Sequence, residues 1–578
     1  MANIDPERRR LLVASATLAA LGGSGVASAE HQEDAGRQND VPEKLTPESN
    51  QPTGKISPEV IAHAEELAGI TFTAEERDVM ANTIGEQIAL FAERIKAGEL
   101  PNDLAPATVF HALPAGMPLD RATAKGDPLR ISVQVGSLPD SDEAIACSPL
   151  THLATWFRRG ELSSTRLTKI YLDRIARANP TLKCVITTTE DLALEQAAQA
   201  DRQRSQGIDR GPLQGMPYGA KDIIDTKGIA TTWGAAPFKD RVANHDAWVV
   251  KKLQDAGAVL VAKTSVGALA YGDIWFGGTT KNPWNIEEGS SGSSAGSASG
   301  TAAGLYAFSL GTETYGSIVS PCMRCGATGL RPTFGRVARS GVMSLCWSLD
   351  KIGPICRSVD DTALVLASIN GFDSADPSSV EEPFNYDAAQ NARGLRVGWN
   401  PSWFESASEH DRAAIDHLRD AGCELHEVTL PDLPYSTLLI PLFAEAAAAF
   451  ESLTRNNRDD QLTWQAPEAW PNTFRQSWFV PAIELVQAQR IRRTIMDAMA
   501  DIFQNVDALA TPSFAANLLL ITNGTGHPAL VLPNNFKNRQ PHGFTLIGRL
   551  FDEGTLCRLG RALETRFGVS SQHPGIPT

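Results

Sequence analysis

Gly292-Ser293-Ser294-Ala295-Gly296-Ser297, followed by Gly311-Thr312-Glu313-Thr314-Tyr315-Gly316-Ser317, is the stretch that decides the fold of this 578-residue chain. Each run places a serine among glycines, which lets other groups approach the backbone closely. A lysine, Lys221, stands upstream in the small-residue stretch 215–222. A serine nucleophile needs a base to accept its proton, and a desolvated lysine can supply one. Ser293, Ser317 and Lys221 are therefore the candidate catalytic residues.

The order of the motifs resembles that of the amidase signature family. The family motif reads roughly Gly-Gly-Ser-Ser-Gly-Gly-Ser, a small-residue helix, then Gly-Thr-Asp-Thr-Gly-Gly-Ser-Ile, and residues 282–318 are similar to it. Further family-like segments are residues 259–264, 325–333, 349–354, 507–512 and 526–549. The resemblance covers about residues 145–570. It implies a catalytic domain of that extent with an α/β/α sandwich around a large mixed, mostly parallel sheet.

Apolar runs that alternate with helical patterns support the same fold class from the residues alone. Strand-like runs occur at 184–187, 217–220 and 258–262, with a helix from about Asp246 to Ala256 before the last of them. Such alternation indicates βαβ units and a sheet covered by helices on both faces. Residues 395–399, 528–533 and 544–547 are further strand candidates, and residues 400–505 are predicted to be largely helical.

The resemblance assigns a role to each candidate residue. It implies that Ser317 is the nucleophile, that Ser293 relays a proton and follows a cis peptide bond, and that Lys221 is the general base. Because burial among small groups and hydroxyls disfavours the charged form, the pKa of such a lysine is expected to fall. Adjacent strand side chains point to opposite faces, so Asp222 need not neutralise this effect. The implied oxyanion hole consists of the backbone amides of Thr314, Tyr315, Gly316 and Ser317.

Two residues depart from the family pattern. Tyr315 replaces a common glycine in the oxyanion turn, and Val319 replaces a frequent arginine two residues after the candidate nucleophile. Tyr315 keeps its backbone N–H, and its ring is expected to shape the acyl pocket. Val319 removes a charge, and the sequence does not show what replaces it.

The N-terminal part of the chain is interpreted as three segments before the catalytic domain. Residues 1–29 combine arginines, a short apolar run and a small-residue cleavage site, which is typical of an export signal of the twin-arginine type. Residues 30–55 have the composition of a disordered linker. Residues 56–105 show helical spacing and predict a small helical appendage, weakly reminiscent of the small helical subunit of tRNA-dependent amidotransferases. Periplasmic or secreted localisation follows from the first segment.

The charge and the cysteine content of the chain restrict the kinds of partner and ligand that it is expected to bind. A formal net charge of −15 argues against nucleic acid and against an anionic membrane surface as partners. Cys322 and Cys325 form a Cys-x-x-Cys pair without further ligands, so they are predicted to be packing thiols rather than a metal site. Neither a cofactor nor a metal is predicted. The expected partner is a small-molecule or peptide amide substrate, with no membrane contact after signal removal and a monomeric or homodimeric state.

The function predicted from the sequence is an exported amidase that hydrolyses a carboxamide C–N bond through a Ser317 acyl-enzyme. One alternative is the glutamine-hydrolysing subunit of a tRNA-dependent amidotransferase, which would use the same three residues. Another is an α/β-hydrolase-type esterase, because residues 292–296 also fit a Gly-x-Ser-x-Gly elbow with Ser294 at its centre and His527 as a recruitable partner. A non-catalytic protein that keeps the fold is the remaining alternative, and the complete set of three candidate residues argues against it.

Overall fold

The computed structural model describes residues 56–95, 98–114, 117, 129–131, 133–537, 540–569 and 571–576. The predicted signal segment (1–29) and linker (30–55) lie outside these residues, and both stay predictions. Within the described ranges, no helix combines the length and apolar character needed to cross a membrane.

A mixed sheet of 11 strands forms the centre of the catalytic region, in the order β14-β13-β15-β17-β16-β10-β11-β9-β3-β4-β2. The strands are, in chain order, β1 (Leu129–Arg130), β2 (Val185–Thr188), β3 (Pro217–Lys221), β4 (Val259–Thr264), β5 (Ile274–Trp275), β6 (Gly278–Thr279), β7 (Lys281–Asn282), β8 (Asn285–Gly289), β9 (Phe308–Glu313), β10 (Thr328–Arg331), β11 (Lys351–Cys356), β12 (Tyr386–Asp387), β13 (Arg396–Trp399), β14 (Glu424–Glu427), β15 (Ala508–Pro512), β16 (Ala529–Lys537) and β17 (Gln540–Gly548). Parallel pairs join β3 to β4 and β9, and β13 to β14 and β15, whereas the other pairs of this sheet are antiparallel. The α/β fold with a large mixed sheet is confirmed.

Helices pack on this sheet and connect its strands. The α-helices are α1 (Pro58–Ala68), α2 (Ala74–Ile95), α3 (Asp142–Cys147), α4 (Leu150–Arg159), α5 (Ser164–Leu182), α6 (Glu190–Ser205), α7 (Trp248–Asp255), α8 (Ala295–Ala302), α9 (Val319–Cys325), α10 (Val359–Ile369), α11 (Glu409–Asp420), α12 (Leu439–Ala449), α13 (Glu451–Arg455), α14 (Trp470–Ser477), α15 (Ala482–Asn505), α16 (Leu518–Thr525) and α17 (Glu553–Phe567). Short 3₁₀ turns occur at Ala236–Phe238, Ala268–Ala270, Pro401–Phe404, Tyr435–Leu438, Arg458–Gln461 and Ala515–Asn517. Residues 400–505 are mainly helical as predicted, although they also contain β14.

The N-terminal helices α1 and α2 form a hairpin, in line with the helical appendage that the sequence predicts. The Thr73 hydroxyl accepts the N–H of Glu76, and the Glu76 carboxylate accepts the N–H of Thr73, so a capping box starts α2. A two-bond ion pair joins Arg77 of α2 to Glu65 of α1. Arg94 of α2 reaches Glu451 at the start of α13 and links the hairpin to the catalytic region.

The topology of the sheet determines where the candidate residues meet. Lys221 is the last residue of β3, and Glu313 is the last residue of β9. Because β3 and β9 are neighbouring parallel strands, their carboxyl ends lie at the same edge of the sheet. The segment between β9 and α9 therefore begins close to Lys221. The segment before α8 meets it there, since Ser293 Oγ lies 2.8 Å from Lys221 Nζ.

Candidate active site

The two serine runs fold into loops that precede two small helices. Ser294 is the residue before α8, whose sequence of alanine, glycine, serine and threonine is buried along its whole length. Ser317 lies in the turn between β9 and α9. The N–H of Ser294 donates to the carbonyl oxygen of Ser317 over 3.1 Å, so the two loops contact each other next to Ser293.

The Ser293 loop has a backbone that only glycine permits at one position. The peptide bond between Gly292 and Ser293 is cis, as the resemblance implies. A Cβ at position 292 would lie 1.9 Å from the carbonyl oxygen of Gly272. The carboxylate of Asp273, the residue after Gly272, accepts the N–H of Ser291 over 2.9 Å. Backbone and carboxylate contacts thus fix the position of Ser293.

Lys221 lies in a buried cluster of hydroxyl groups. Its Nζ is 2.8 Å from Ser293 Oγ, 2.7 Å from Thr312 Oγ1 and 3.2 Å from Ser294 Oγ. The side chain is fully buried. Burial lowers the pKa of Lys221 from 10.5 to about 7, and the charges of Asp350 and Glu313 oppose the shift only in part. A lysine in this setting is able to accept a proton near neutral pH.

Asp222, which follows Lys221 in sequence, points away from it. Lys263 Nζ lies 3.1 Å from Asp222 Oδ1, and both side chains are fully buried. The N–H and hydroxyl of Thr232 donate to the other carboxylate oxygen at 2.8 and 2.5 Å. The expectation that Asp222 need not neutralise the effect of burial on Lys221 agrees with this geometry.

The buried carboxylate of Glu313 accepts backbone N–H groups of the turn that carries Ser317 and so holds this turn in place. Glu313 Oε2 accepts the backbone N–H groups of Ile318 and Val319 at 2.8 and 3.0 Å. Its Oε1 accepts from Arg331 at 2.6 Å and from Asn523 at 2.8 Å. Arg331 on β10 thus interacts with this turn through Glu313, in a chain where Val319 replaces the arginine of the family motif.

The residues implied to form the oxyanion hole lie in a bend with one left-handed residue. Gly316 has φ +90°, a conformation that favours glycine. The hydroxyl of Thr314 donates to Asp350 Oδ1 over 2.5 Å. The ring of Tyr315 packs against the apolar cluster of Cys346, Leu349 and Leu442. The bend is therefore held at Thr314, at Tyr315 and, through Glu313, just after Ser317.

Sequence reasoning did not identify several residues that shape this site. Asp350 and Arg331 lie in segments recognised as family-like, yet nothing in their spacing indicated contact with the nucleophile turn. Thr312 stands inside the motif itself and was not assigned a role, although its hydroxyl contacts Lys221. A buried polar residue at the end of a strand is the signal that would have identified Thr312.

The elbow alternative centred on Ser294 does not agree with the geometry. Ser294 Oγ donates to the carbonyl of Thr312 at 3.0 Å and accepts the N–H of Thr312 at 3.1 Å, so backbone contacts occupy this hydroxyl. His527, the histidine that the elbow would need, hydrogen-bonds Thr525 and stacks on Phe503. Burial lowers the pKa of His527 to about 3. Ser294 therefore lacks the base of an α/β-hydrolase.

Cys322 and Cys325 are free thiols that are buried on α9. Burial raises the pKa of both thiols, so neither is a reactive thiolate at neutral pH. Cys325 Sγ contacts the carbonyl oxygen of Ser290, and the indole of Trp284 donates to the Cys325 carbonyl. Both cysteines act as packing residues behind the Ser293 loop.

A lysine that is buried among serine hydroxyls, beside a glycine-rich turn of backbone amides, defines an α/β enzyme built for nucleophilic attack on an acyl carbon. The amidase family profile matches residues 166–523. The chain belongs to the amidase family, and it is a hydrolase that acts on amide C–N bonds. Its substrate is accordingly an amide.

Among curated proteins, the chain is similar to the A subunit of glutamyl-tRNA(Gln) amidotransferase from Roseiflexus sp. (strain RS-1). The two are 35% identical over 469 residues, which is 72% of this chain and 96% of the relative. The protein of the same name from Roseiflexus castenholzii is 34% identical over 469 residues, 72% of this chain and 95% of the relative.

Solved structures of a peptide amidase and of an amidotransferase subunit have a fold similar to that of this chain. Native peptide amidase from Stenotrophomonas maltophilia superposes with a TM-score of 0.67 at 31% identity, covering 75% of this chain and 99% of that one. The A subunit of glutamyl-tRNA(Gln) amidotransferase from Thermotoga maritima superposes with a TM-score of 0.64 at 25% identity, covering 77% of this chain and 100% of that one.

These relatives correct the function predicted from the sequence. The prediction of an exported amidase is wrong, because the curated relatives are components of amidotransferases and nothing in the comparisons indicates export. The amidotransferase alternative agrees better with them. The expectation of no nucleic-acid partner is not supported either, since the names of these relatives refer to tRNA. The periplasmic or secreted localisation is not tested and stays a prediction.

Proposed function

We propose that this protein hydrolyses the side-chain amide of glutamine as the glutaminase component of an amidotransferase-type assembly. The observation that carries the proposal is the contact of 2.8 Å between the buried Lys221 Nζ and Ser293 Oγ. This contact lies in the region that aligns with almost the full length of the amidotransferase relatives.

The reaction begins with the transfer of two protons. Ser317 Oγ attacks the amide carbonyl carbon and passes its proton to Ser293, which passes its own proton to Lys221. The direction follows from the low pKa of Lys221, which leaves its amine free to accept a proton near neutral pH. The amide N–H groups of the 314–317 bend stabilise the negative charge that develops on the carbonyl oxygen.

Collapse of the tetrahedral intermediate reverses the proton path. The proton on Lys221 returns through Ser293 to the leaving nitrogen, the C–N bond breaks, and ammonia departs. Water then attacks the acyl-enzyme and gives up a proton along the same relay, which releases glutamate and restores Ser317 and neutral Lys221. One base thus serves both half-reactions.

The assembly would include further subunits and a tRNA. A net charge of −15 on this chain favours tRNA contact through a partner protein rather than through this chain itself. The role of this chain is then to release ammonia inside the assembly.

Ammonia release from glutamine by the purified full-length chain, alone and with candidate partner proteins, tests the proposal. Ser317→Ala and Lys221→Ala are each expected to lower turnover by at least ~10³-fold. Ser299→Ala is the control, because Ser299 is also buried but donates to the carbonyl of Lys281 and takes no part in the relay. Hydrolysis of asparagine or of a peptide C-terminal amide, but never of glutamine, would refute the amidotransferase role while leaving the site intact.

A further inference from the structure

An extended segment, residues 99–114, leads from the N-terminal helices towards the catalytic region and is called the strap. It contacts the loop 344–350, which precedes and enters β11. The side-chain amide of Asn102 pairs with one residue of this loop in both directions. Its Nδ2 donates to the carbonyl of Ser344 at 2.9 Å, and its Oδ1 accepts the N–H of Ser344 at 2.7 Å. The indole N–H of Trp347 donates to the Asn102 carbonyl at 3.1 Å.

The strap has a second attachment that does not involve Asn102. The ring of Phe110 lies 3.5 Å from the guanidinium carbon of Arg492 and packs edge-on against Phe334. Ala112 is buried in the same apolar cluster. Because these contacts hold the strap at its other end, the loss of the Asn102 side chain is not expected to detach the strap.

The loop transmits the position of the strap to the nucleophile turn. The N–H groups of Leu345 and Cys346, next to Ser344, donate to Asp350 Oδ2 at 2.8 and 3.0 Å. Asp350 Oδ1 accepts the hydroxyl of Thr314 at 2.5 Å. Hydrogen bonds therefore connect Asn102 to the first residue of the 314–317 bend, with the backbone from Ser344 to Cys346 as the one covalent step.

We propose that Asn102 is a positioning residue that fixes the loop 344–350 and, through Asp350 and Thr314, the orientation of the backbone amides that bind the oxyanion. The inference rests on the function proposed above for residues 314–317. It assigns the N-terminal region a part in catalysis, although the strap itself supplies no group to the Lys221–Ser293 contact.

The two hydrogen bonds to Ser344 need a side chain that both donates and accepts, as the amide of Asn102 does. Alanine can neither donate to the Ser344 carbonyl nor accept its N–H. Aspartate keeps the acceptor but places a negative oxygen against the carbonyl of Ser344. Both variants are therefore expected to release the loop, and the charge makes Asn102→Asp the more severe of the two.

The experiment measures acylation of Ser317 by a fluorophosphonate, together with kcat and KM for amide hydrolysis, in full-length wild type, Asn102→Ala and Asn102→Asp. Removal of a whole oxyanion donor costs ~10²–10³ in rate, so a displaced bend is expected to lower acylation and kcat on the order of tenfold. KM and the pH midpoint of the rate should change little, because Lys221 keeps its contacts with Ser293 and Thr312 and burial, not Asp350, is the main cause of its low pKa. The exposed neighbour Asp103→Ala is the matched control and should behave as wild type.

Trp347→Phe provides a second variant should Asn102→Ala fail to fold. It removes the indole N–H that donates to the Asn102 carbonyl while keeping an aromatic ring, and it is expected to lower acylation about threefold, the effect of one neutral hydrogen bond. Wild-type acylation rates in these variants would overturn the inference alone. Absence of a Ser317 adduct in the wild-type protein would overturn the proposed function and this inference with it.

Discussion

Glu313→Gln removes one charge from a fully buried ion pair beneath the turn of Ser317. Every partner of this carboxylate is a donor, namely the Arg331 guanidinium, the Asn523 amide and two backbone N–H groups. Glutamine brings an NH2 group of its own, so donors would face donors and Arg331 would keep an uncompensated buried charge. Breaking a buried pair from one side costs about 3–5 kcal/mol.

The pKa shift of Glu313 corresponds to a similar free energy of stabilisation. Burial alone would raise this pKa, but Arg331 and the N–H donors lower it from 4.5 to about 2. Because the folded pKa lies below the unfolded value, this contribution to stability is complete above about pH 4.5 and is lost as the pH falls towards 2. At ~1.4 kcal/mol per pKa unit, the shift corresponds to ~3 kcal/mol.

Urea unfolding at pH 7.5, followed by tryptophan fluorescence, measures the cost. Glu313→Gln is expected to lose about 3–5 kcal/mol, and the double variant with Arg331→Met should recover part of it, because no lone charge stays buried. Glu288→Gln is the matched control, since Glu288 pairs with Arg324 at 3.3 Å while about 30% exposed, and should lose under about 1 kcal/mol. A loss no larger for Glu313→Gln than for Glu288→Gln would refute the reasoning.

Further predictions concern the base and the two loops. The rate of amide hydrolysis should rise with pH through a midpoint near 7, because protonated Lys221 cannot accept a proton; a flat profile between pH 6 and 8 would contradict this. Gly292→Ala should lower kcat by roughly 10²-fold, because its Cβ would lie 1.9 Å from the Gly272 oxygen. Gly85→Ala is its control and should leave kcat unchanged, because no atom lies within 4 Å of a Cβ at that position. Ser294→Ala should keep the fluorophosphonate adduct on Ser317 and lose less than about tenfold in rate; loss of the adduct would restore the elbow alternative.

The sequence predicted the strands that carry continuous apolar runs, and it missed others for a physical reason. β3 and β4 consist largely of apolar and small residues and flank α7, so the pattern indicates a parallel pair. β9 and β10 lack such a run because polar residues interrupt it, and Gly353 and Pro354 interrupt β11 in the middle of the sheet, where Pro354 lies opposite Leu310. Glycine and proline disfavour strands in isolation. Here pairing on both sides of β11 determines the structure instead.

Some residues of the candidate site could likewise be predicted from the sequence, and others could not. Lys221, Ser293 and Ser317 stand in motifs that a single sequence displays, and the structure brings Lys221 and Ser293 into contact. The groups that support them come from distant segments: Asp350 is 36 residues from Thr314, and Asn102 is 242 residues from Ser344. Neither helical nor strand periodicity relates residues so far apart. Only the tertiary structure shows that Arg331 interacts with the turn at which Val319 leaves no charge.

Lys221 and Lys263 are buried on neighbouring strands, but only Lys221 has surroundings that suit a general base. Lys263 lies 3.1 Å from Asp222, and this pair carries no net charge whether or not a proton moves between its members. Lys221 contacts hydroxyls and a carbonyl, while carboxylates act on it only from a distance. A buried ammonium without a carboxylate in contact loses its hydration uncompensated, so its neutral form is favoured. Because Lys263 engages Asp222, the carboxylate next to Lys221 in sequence does not raise the pKa of the proposed base.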